Sequence, residues 1–378
     1  LFHRKDSQGN AALNAVKLRS LHQENILLND YEDLESILRH KSDTFRLFKW
    51  LNQRFNGDLF PSSYTRELNQ VKKPHLKLLA DFISGKLQMR NGQYLLWRHY
   101  SFDTIPLEFI SSIYEEFVTK RRDSDSGIGE HYTRPFIVDF MLDKVLPWNG
   151  KEYDLKILDP CCGSSVFLVK AFQRLVHRWR NANPGKEPPA ATLRKLLEEN
   201  IFGVDIEPSA VRVSSFSLYL AMCDEIDPKH YWSQVHFPSL REVRLRTVDF
   251  FQDDIEEICT ETTQSKRNQY DLIVGNAPWG EQSLTKTAKT WAKENGWRPI
   301  DKQSATLFLA KSAKLCKPTG QICMIQPAGS LLFNVNSTAL EFREKLFTNY
   351  KVEEVINLSA LRFLNIFPSA VGPACIVK

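Results

Sequence analysis

Tyr270-Asp271-Leu272-Ile273-Val274-Gly275-Asn276-Ala277-Pro278-Trp279 is the stretch on which the fold turns. Leu272, Ile273 and Val274 make a continuous apolar run. That is the pattern of a strand covered on both faces in a parallel sheet, not the alternation of a half-exposed one. Gly275 and Pro278 then end the ladder. The corner that follows carries a side-chain amide on Asn276, a backbone carbonyl on Ala277, a bend at Pro278 and a flat ring on Trp279. Two acceptors can hold both hydrogens of an exocyclic NH2 group, and an indole can stack on the ring that bears it. The corner therefore suits a planar, amino-bearing substrate, although the same four residues also fit an ordinary strand end.

Working outward, Leu155-Lys156-Ile157-Leu158-Asp159-Pro160-Cys161-Cys162-Gly163-Ser164-Ser165-Val166-Phe167-Leu168 reads as a strand, a tight small-residue loop and a helix start. In an open α/β sheet the ligand lies at the carboxyl ends of the strands, beside the first such loop. A dinucleotide fingerprint would place three glycines there; a single Gly163 argues against NAD or a nucleoside triphosphate. Cys161 and Cys162 read as small buried packing residues. Ile201 to Pro208 gives a second strand ending at Asp205, which can accept both hydroxyls of a ribose, with Ile206 free to lie on an adenine face. Val243, Leu245 and Val248 outline a third strand ending at Asp249-Phe250, an acid and an aromatic that by themselves fit a capped core turn. A helix over 305–315 and strands over 320–325, 352–358 and 371–377 complete a seven-stranded α/β sheet.

Ahead of this lies a helical region. Leu34, Ile37, Leu38, Phe45, Phe48 and Leu51 recur at helix spacing, as do Leu76, Leu78, Leu79, Phe82 and Ile83, and then Phe109, Ile110, Ile113, Tyr114 and Phe117. The charged, Gly/Ser-rich break from Lys120 to Gly129 sets a boundary, giving a helical domain over 1–124 and an α/β domain over 125–378. Gly129-Glu130-His131-Tyr132-Thr133-Arg134-Pro135 then opens an amphipathic helix, with Thr133 able to cap it and Pro135 in its first turn.

The chain has 378 residues with a hydrophobic share of 42 %, a charged share of 25 % and a net charge of +5. These are the proportions of a globular protein that permits a basic partner face without announcing one. Seven cysteines without a CxxC pair or metal-ligand spacing point to a reducing compartment, hence a cytoplasmic location and no metal. No apolar run approaches the ~20 residues that span a bilayer. Lys286, Lys289 and Lys293, interleaved with Trp291 and Trp297, suit a nucleic-acid strand. The ends of the chain read as cuts from something longer.

Five segments occur in one order: Thr133-Arg134-Pro135, Asp159-Pro160-Cys161-Cys162-Gly163, Val204-Asp205-Ile206, Asp249-Phe250 and Asn276-Ala277-Pro278-Trp279. Together they resemble the motif set of S-adenosylmethionine-dependent, adenine-specific (N6) DNA methyltransferases of the gamma motif order, as in Type IIG restriction-modification enzymes and Type I modification subunits. The segments Phe55 to Pro61 and Ile113-Tyr114-Glu115 are similar to stretches upstream of those motifs.

The resemblance implies a Rossmann-like seven-stranded methyltransferase sheet preceded by the helical domain, with S-adenosylmethionine as cofactor. It further implies cofactor contacts at Tyr132, Thr133, Asp159, Cys161, Gly163, Asp205, Ile206, Asp249 and Phe250, and a catalytic corner at Asn276, Ala277, Pro278 and Trp279. Double-stranded DNA would be the partner, with any specificity or nuclease region outside the chain. Three residues depart from the pattern. Ala277 stands where a proline is usual, Arg134 separates Thr133 from Pro135, and Ser165 replaces a glycine and is expected to crowd the loop. A protein-glutamine or RNA amino-methyltransferase, or a catalytically impaired DNA-binding scaffold, are the alternative readings.

Overall fold

The computed structural model describes residues 5–55, 64–88, 92–93, 107, 109–110, 113–114, 133–252, 269–364 and 372–378. Its contacts divide the chain into two units, Leu1–Pro106 with Met222–Ser239, and Leu107–Ala221 with Leu240–Lys378. The domain boundary expected at 124/125 falls outside the described residues, as do Tyr132 and most of the segment from Phe55 to Pro61.

The first unit is helical. Its helices are α1 (Ala15–Gln23), α2 (Leu34–Leu38), α3 (Lys41–Phe55), α4 (Tyr64–Gln70) and α5 (Lys73–Ile83), of which α2, α3 and α5 follow the expected apolar spacing. The single helix suggested by Leu34 to Leu51 is two, because the chain turns at Arg39-His40. Asn14 and Asp33 cap α1 and α2 by accepting from the backbone N–H of Lys17 and Ser36. Leu38, Leu76 and Ala80 form a buried cluster with Leu34, Phe48 and Ile83 packed against it.

Asp43 is buried and accepts from Tyr31 Oη at 2.6 Å and Leu28 N at 2.9 Å. Burial, reinforced by that carboxylate, pushes the Tyr31 phenol up to about 12. Met222–Ser239 joins this unit through an aromatic cluster that was not foreseen. Trp232 stacks on Phe55 at 5.5 Å and donates Nε1–H to the Ala12 carbonyl, and Phe237 N donates to the Phe55 carbonyl at 2.7 Å.

The second unit is the seven-stranded sheet. Its strands are β1 (Ile157–Asp159), β2 (Ile201–Asp205), β3 (Leu245–Thr247), β4 (Tyr270–Asn276), β5 (Cys316–Pro327), β6 (Val355–Asn357) and β7 (Ala374–Val377), in the order β3-β2-β1-β4-β5-β7-β6. All neighbours are parallel except β7, which runs antiparallel to β5 and β6. In the centre of the sheet Leu158 pairs with Phe202 on one side and Ile273 on the other. Both β1 and the Leu272–Gly275 part of β4 are buried, as the unbroken apolar run requires.

β5 begins at Cys316, earlier than its apolar run indicates. The pairing jumps from Tyr270↔Cys316 to Leu272↔Gln321, and the intervening bulge closes at Gly320. A Cβ at Gly320 would lie 2.9 Å from the carbonyl oxygens of both Tyr270 and Asp271.

Helices α6 (Pro135–Val145), α7 (Val166–Ala182), α8 (Ala190–Asn200), α9 (Pro208–Asp224), α10 (Lys286–Glu294), α11 (Ala305–Leu315) and α12 (Ser337–Asn349) accompany the strands. Arg174 of α7 is fully buried and ties α6 in place. It donates to Asp143 Oδ1 at 2.7 Å and to the Leu146 carbonyl at 3.1 Å, and its guanidinium lies 4.8 Å from the Trp148 ring.

Candidate active site

The strand order reverses at β1: the chain leaves it for β2 and β3 on one side and returns as β4 on the other. A crevice is expected outside the carboxyl ends of the strands at such a switch point, and there the structure opens a cleft. Asp159, Asp205 and Asn276 are the last residues of β1, β2 and β4, and all three line it.

The loop after β1 is drawn tight by backbone hydrogen bonds. Asp159 is 1 % exposed; its Oδ1 accepts from Cys161 N at 3.1 Å. The carboxyl lies over Gly275 of β4, where an added Cβ would sit 2.6 Å from Oδ1. That glycine is required because the acid occupies the space. Burial pushes the Asp159 carboxyl up to about 8, and the Asp205 carboxylate across the loop adds to the shift.

Cys161 lines the cleft, and its Sγ–H donates to the Asn276 backbone carbonyl at 3.1 Å. Burial and the two neighbouring acids hold its thiol well above the ordinary range, so it stays protonated and unreactive. Cys162 is buried beneath the loop with its N–H on the Val204 carbonyl.

Gly163 has φ +50° and donates its N–H to Asp205 Oδ2 at 2.9 Å. Ser165 has φ +66° and caps α7. Its side chain is fully buried and reaches toward the Ser214 carbonyl on α9 at 3.5 Å. The serine takes up a left-handed backbone, which costs a non-glycine residue about 1–2 kcal/mol.

Asp205 accepts from Glu207 N on Oδ1 at 2.8 Å and from Gly163 N on Oδ2 at 2.9 Å, which fixes the carboxylate at the strand end. Ile206 beside it is 63 % exposed on the cleft wall.

Asp249 accepts from Phe251 N at 2.9 Å and from the Thr287 hydroxyl at 2.6 Å. The Phe250 ring is 2 % exposed and stacks on Phe308 at 5.0 Å, so its neighbourhood is already built of aromatic faces.

At the end of β4, Asn276 and Pro278 line the cleft, while Ala277 is 1 % and Trp279 6 % exposed and neither is on its wall. As placed, Trp279 would have to turn out of its packing to stack on a ring. Thr133, 6 % exposed and also on the wall, accepts from Asn276 Nδ2 at 3.1 Å.

The lysines of α10 and the tryptophans near them separate. Lys286, Lys289 and Lys293 are exposed, whereas Trp291 packs on Phe251 and Trp297 on Phe342, both buried. The indoles are core, and the charged face alone remains for a polyanion.

Two side chains at the site were not singled out by sequence: Ser214 Oγ donates to the Gly163 carbonyl at 2.7 Å, and Thr287 holds Asp249. Serine and threonine in mid-helix or near a cap have too many uses to signal this from spacing. Tyr114, from the upstream segment Ile113-Tyr114-Glu115, lines the cleft with its hydroxyl 3.0 Å from Ser209 Oγ.

The donor set decides what the cleft can hold. Its described lining includes Asp159, Asp205, Glu207 and Asp249 and, among the described residues, no lysine, arginine or histidine. Such a lining repels phosphates and suits a cation that also presents hydroxyls and a planar ring. A sulfonium nucleoside bearing an α-amino group fits this chemistry: an acid at each of three strand ends and the apolar surface of Ile206 between them.

The strand order, the single antiparallel β7 and the acid-lined crevice define a class I methyltransferase fold. Within it, residues 199–363 match the Eco57I restriction-modification methylase family. The chain is similar to the adenine-specific methyltransferase PglX of Streptomyces coelicolor, 31 % identical over 116 residues, which cover 30 % of this chain and 9 % of that protein. It is also similar to the Type II methyltransferase M.VspI of a Vibrio species, 25 % identical over 61 % of this chain and 43 % of that protein. A crystal structure of a type I restriction-modification methyltransferase subunit from Streptococcus thermophilus superposes with a TM-score of 0.51 at 18 % identity, covering 90 % of this chain and 61 % of that one. The chain spans about half or less of the length of the curated relatives it matches. Among the described residues no helix is long and apolar enough to cross a membrane.

Proposed function

We propose that this protein transfers a methyl group from S-adenosylmethionine to the N6 amino group of adenine in DNA, as part of a restriction-modification or related defence system. The observation that carries this is the placing of Asn276, at the carboxyl end of β4 and beside an acid-lined cleft that has no cationic side chain among its described residues. S-adenosylmethionine, when bound, supplies an electrophilic methyl on a sulfonium.

The residues divide the work by position. Asp159 and the Gly163 turn take the amino-acid end, with Cys161, Tyr132 and Thr133 beside it. Asp205 takes the ribose hydroxyls, and Ile206, Asp249 and Phe250 take the adenine. At the corner, the side-chain oxygen of Asn276 and the carbonyl of Ala277 accept the hydrogens of the target amino group. Its lone pair is thereby drawn out of the ring and aimed at the methyl, so catalysis is positioning. Ala277 keeps the acceptor carbonyl that a proline would offer.

The target base leaves the duplex to reach this depth, and Pro278 with Trp279 receives it, the indole turning outward to stack. The exposed lysine face of α10 meets phosphates. We assign 1–124 to a helical domain and 125–378 to the catalytic domain, with sequence recognition and any nuclease supplied from outside this chain, in the cytoplasm. Replacing Asn276 with alanine should abolish methyl transfer to adenine-containing DNA while leaving cofactor affinity within about twofold by calorimetry; an active Asn276→Ala protein sinks the assignment.

A further inference from the structure

We infer that Thr133 is a positioning residue for the acceptor amide, its hydroxyl holding Asn276 Nδ2 so that the amide oxygen is the atom offered to an incoming amino group; this rests on the function proposed above. A side-chain amide is nearly symmetric in shape and opposite in chemistry at its two ends. Only the oxygen can accept from an NH2 group; turned by half a rotation, the same side chain meets a donor with a donor. The corner therefore needs something to fix the amide, and nothing in Asn-Ala-Pro-Trp does so by itself.

The structure supplies a partner from a distant part of the chain. Nδ2 of Asn276 lies 3.1 Å from Thr133 Oγ1, across 143 residues of sequence. The threonine is 6 % exposed, so the bond is sheltered from water, and it stands next to Arg134, which rather than Thr133 is the N-cap residue of α6; the buried Arg174 fixes the placement of that helix. With Nδ2 on that hydroxyl, Oδ1 is left as the other end of the same planar amide. The backbone carbonyl of Asn276 is in turn held by the Cys161 thiol at 3.1 Å. Side chain and main chain of the acceptor residue are thus each pinned by a group from another loop of the cleft. A rigid second contact of this kind keeps a reacting group within the tolerance catalysis demands.

The experiment uses the whole protein as wild type, Thr133→Ser and the hydroxyl-free Thr133→Val and Thr133→Ala, each matched for melting temperature. Methylation of adenine-containing DNA is measured with the cofactor affinity of each variant. The expected result is a fall in kcat of about 10- to 100-fold in the valine and alanine proteins. The fall in kcat should exceed any change in cofactor Kd, and the serine protein should recover most of the rate. A kcat within about twofold of wild type, a parallel loss of cofactor affinity, or a serine protein as slow as the valine one overturns the assignment.

A second readout does not depend on activity. With asparagine labelled by 15N and the Asn276 signal identified from Asn276→Ala, the side-chain NH2 protons should exchange more slowly in wild type and Thr133→Ser than in Thr133→Val. Equal exchange overturns the inference. If the wild-type protein methylates no adenine, the function proposed above falls, and the amide exchange still decides whether Thr133 holds Asn276.

Discussion

The Asp159 carboxyl is a buried acid held up to about 8 by burial and by the facing Asp205 carboxylate, against an ordinary value near 3.8. A carboxyl whose folded pKa is raised stabilises the fold while protonated. That stability is fully present below the unfolded pKa and is lost as pH rises toward the folded one. Each pH unit in that window is worth about 1.4 kcal/mol, so between pH 5 and pH 7 the site alone costs the protein about 2.7 kcal/mol.

Replacing Asp159 with asparagine, nearly the same size and unable to ionise, removes this slope. Urea unfolding of wild type and Asp159→Asn at pH 5, 6, 7 and 8, without ligand, should give a difference in stability that moves toward the asparagine protein by about 1.4 kcal/mol per unit and levels off near pH 8. Any constant offset from the new amide drops out of that comparison. Parallel pH profiles for the two proteins would refute the reasoning, since they would mean that the acid is ionised in the fold at pH 5 already. A cationic ligand group beside Asp159 should lower its pKa again, so cofactor binding releases a proton below pH 8 in wild type and none through this site in Asp159→Asn.

Two further outcomes follow from backbone geometry. Gly275→Ala places a Cβ where Asp159 Oδ1 stands, 2.6 Å away, and should weaken cofactor binding by at least about tenfold, ~1.4 kcal/mol, by calorimetry; undiminished affinity would show that the carboxyl does not need that space. Ser165→Gly relieves a left-handed serine at φ +66° and should raise the stability of the ligand-free protein by roughly 0.5–1 kcal/mol in urea unfolding, and a less stable variant would mean that the serine hydroxyl matters more than its backbone.

The sheet could be read from sequence wherever burial leaves a one-dimensional trace. The apolar runs ending at Asp159, Asp205 and Asn276 mark three parallel strands, and their terminal polar residues mark the cleft, because a covered strand has no other reason to stop on an acid or an amide. The αL serine, the bulge at Gly320 and the Phe250–Phe308 stack left no such trace. Each depends on what lies across from it, and pairing is invisible in a single chain. The indoles of Trp291 and Trp297 misled for the same reason: Trp291 lies on the core face of an amphipathic helix, and Trp297, just past the end of that helix, packs on Phe342. The attachment of Met222–Ser239 to the helical unit was equally hidden, since it hangs on Trp232 meeting Phe55 and on one backbone hydrogen bond.

The place of β1 in the sheet has a consequence in time. Its neighbour β2 follows closely, but its other neighbour arrives much later: Cys161 and the Asn276 carbonyl it meets are 115 residues apart. Closing so long a loop is slow compared with local contacts. The half of the sheet that bears Asp159 and Asp205 can therefore assemble while β4 is still being made, and Asn276 enters last, into a pocket already shaped. On a ribosome this order would leave the inner edge of β1 unpaired until β4 emerges, exposing an apolar strand edge to other chains.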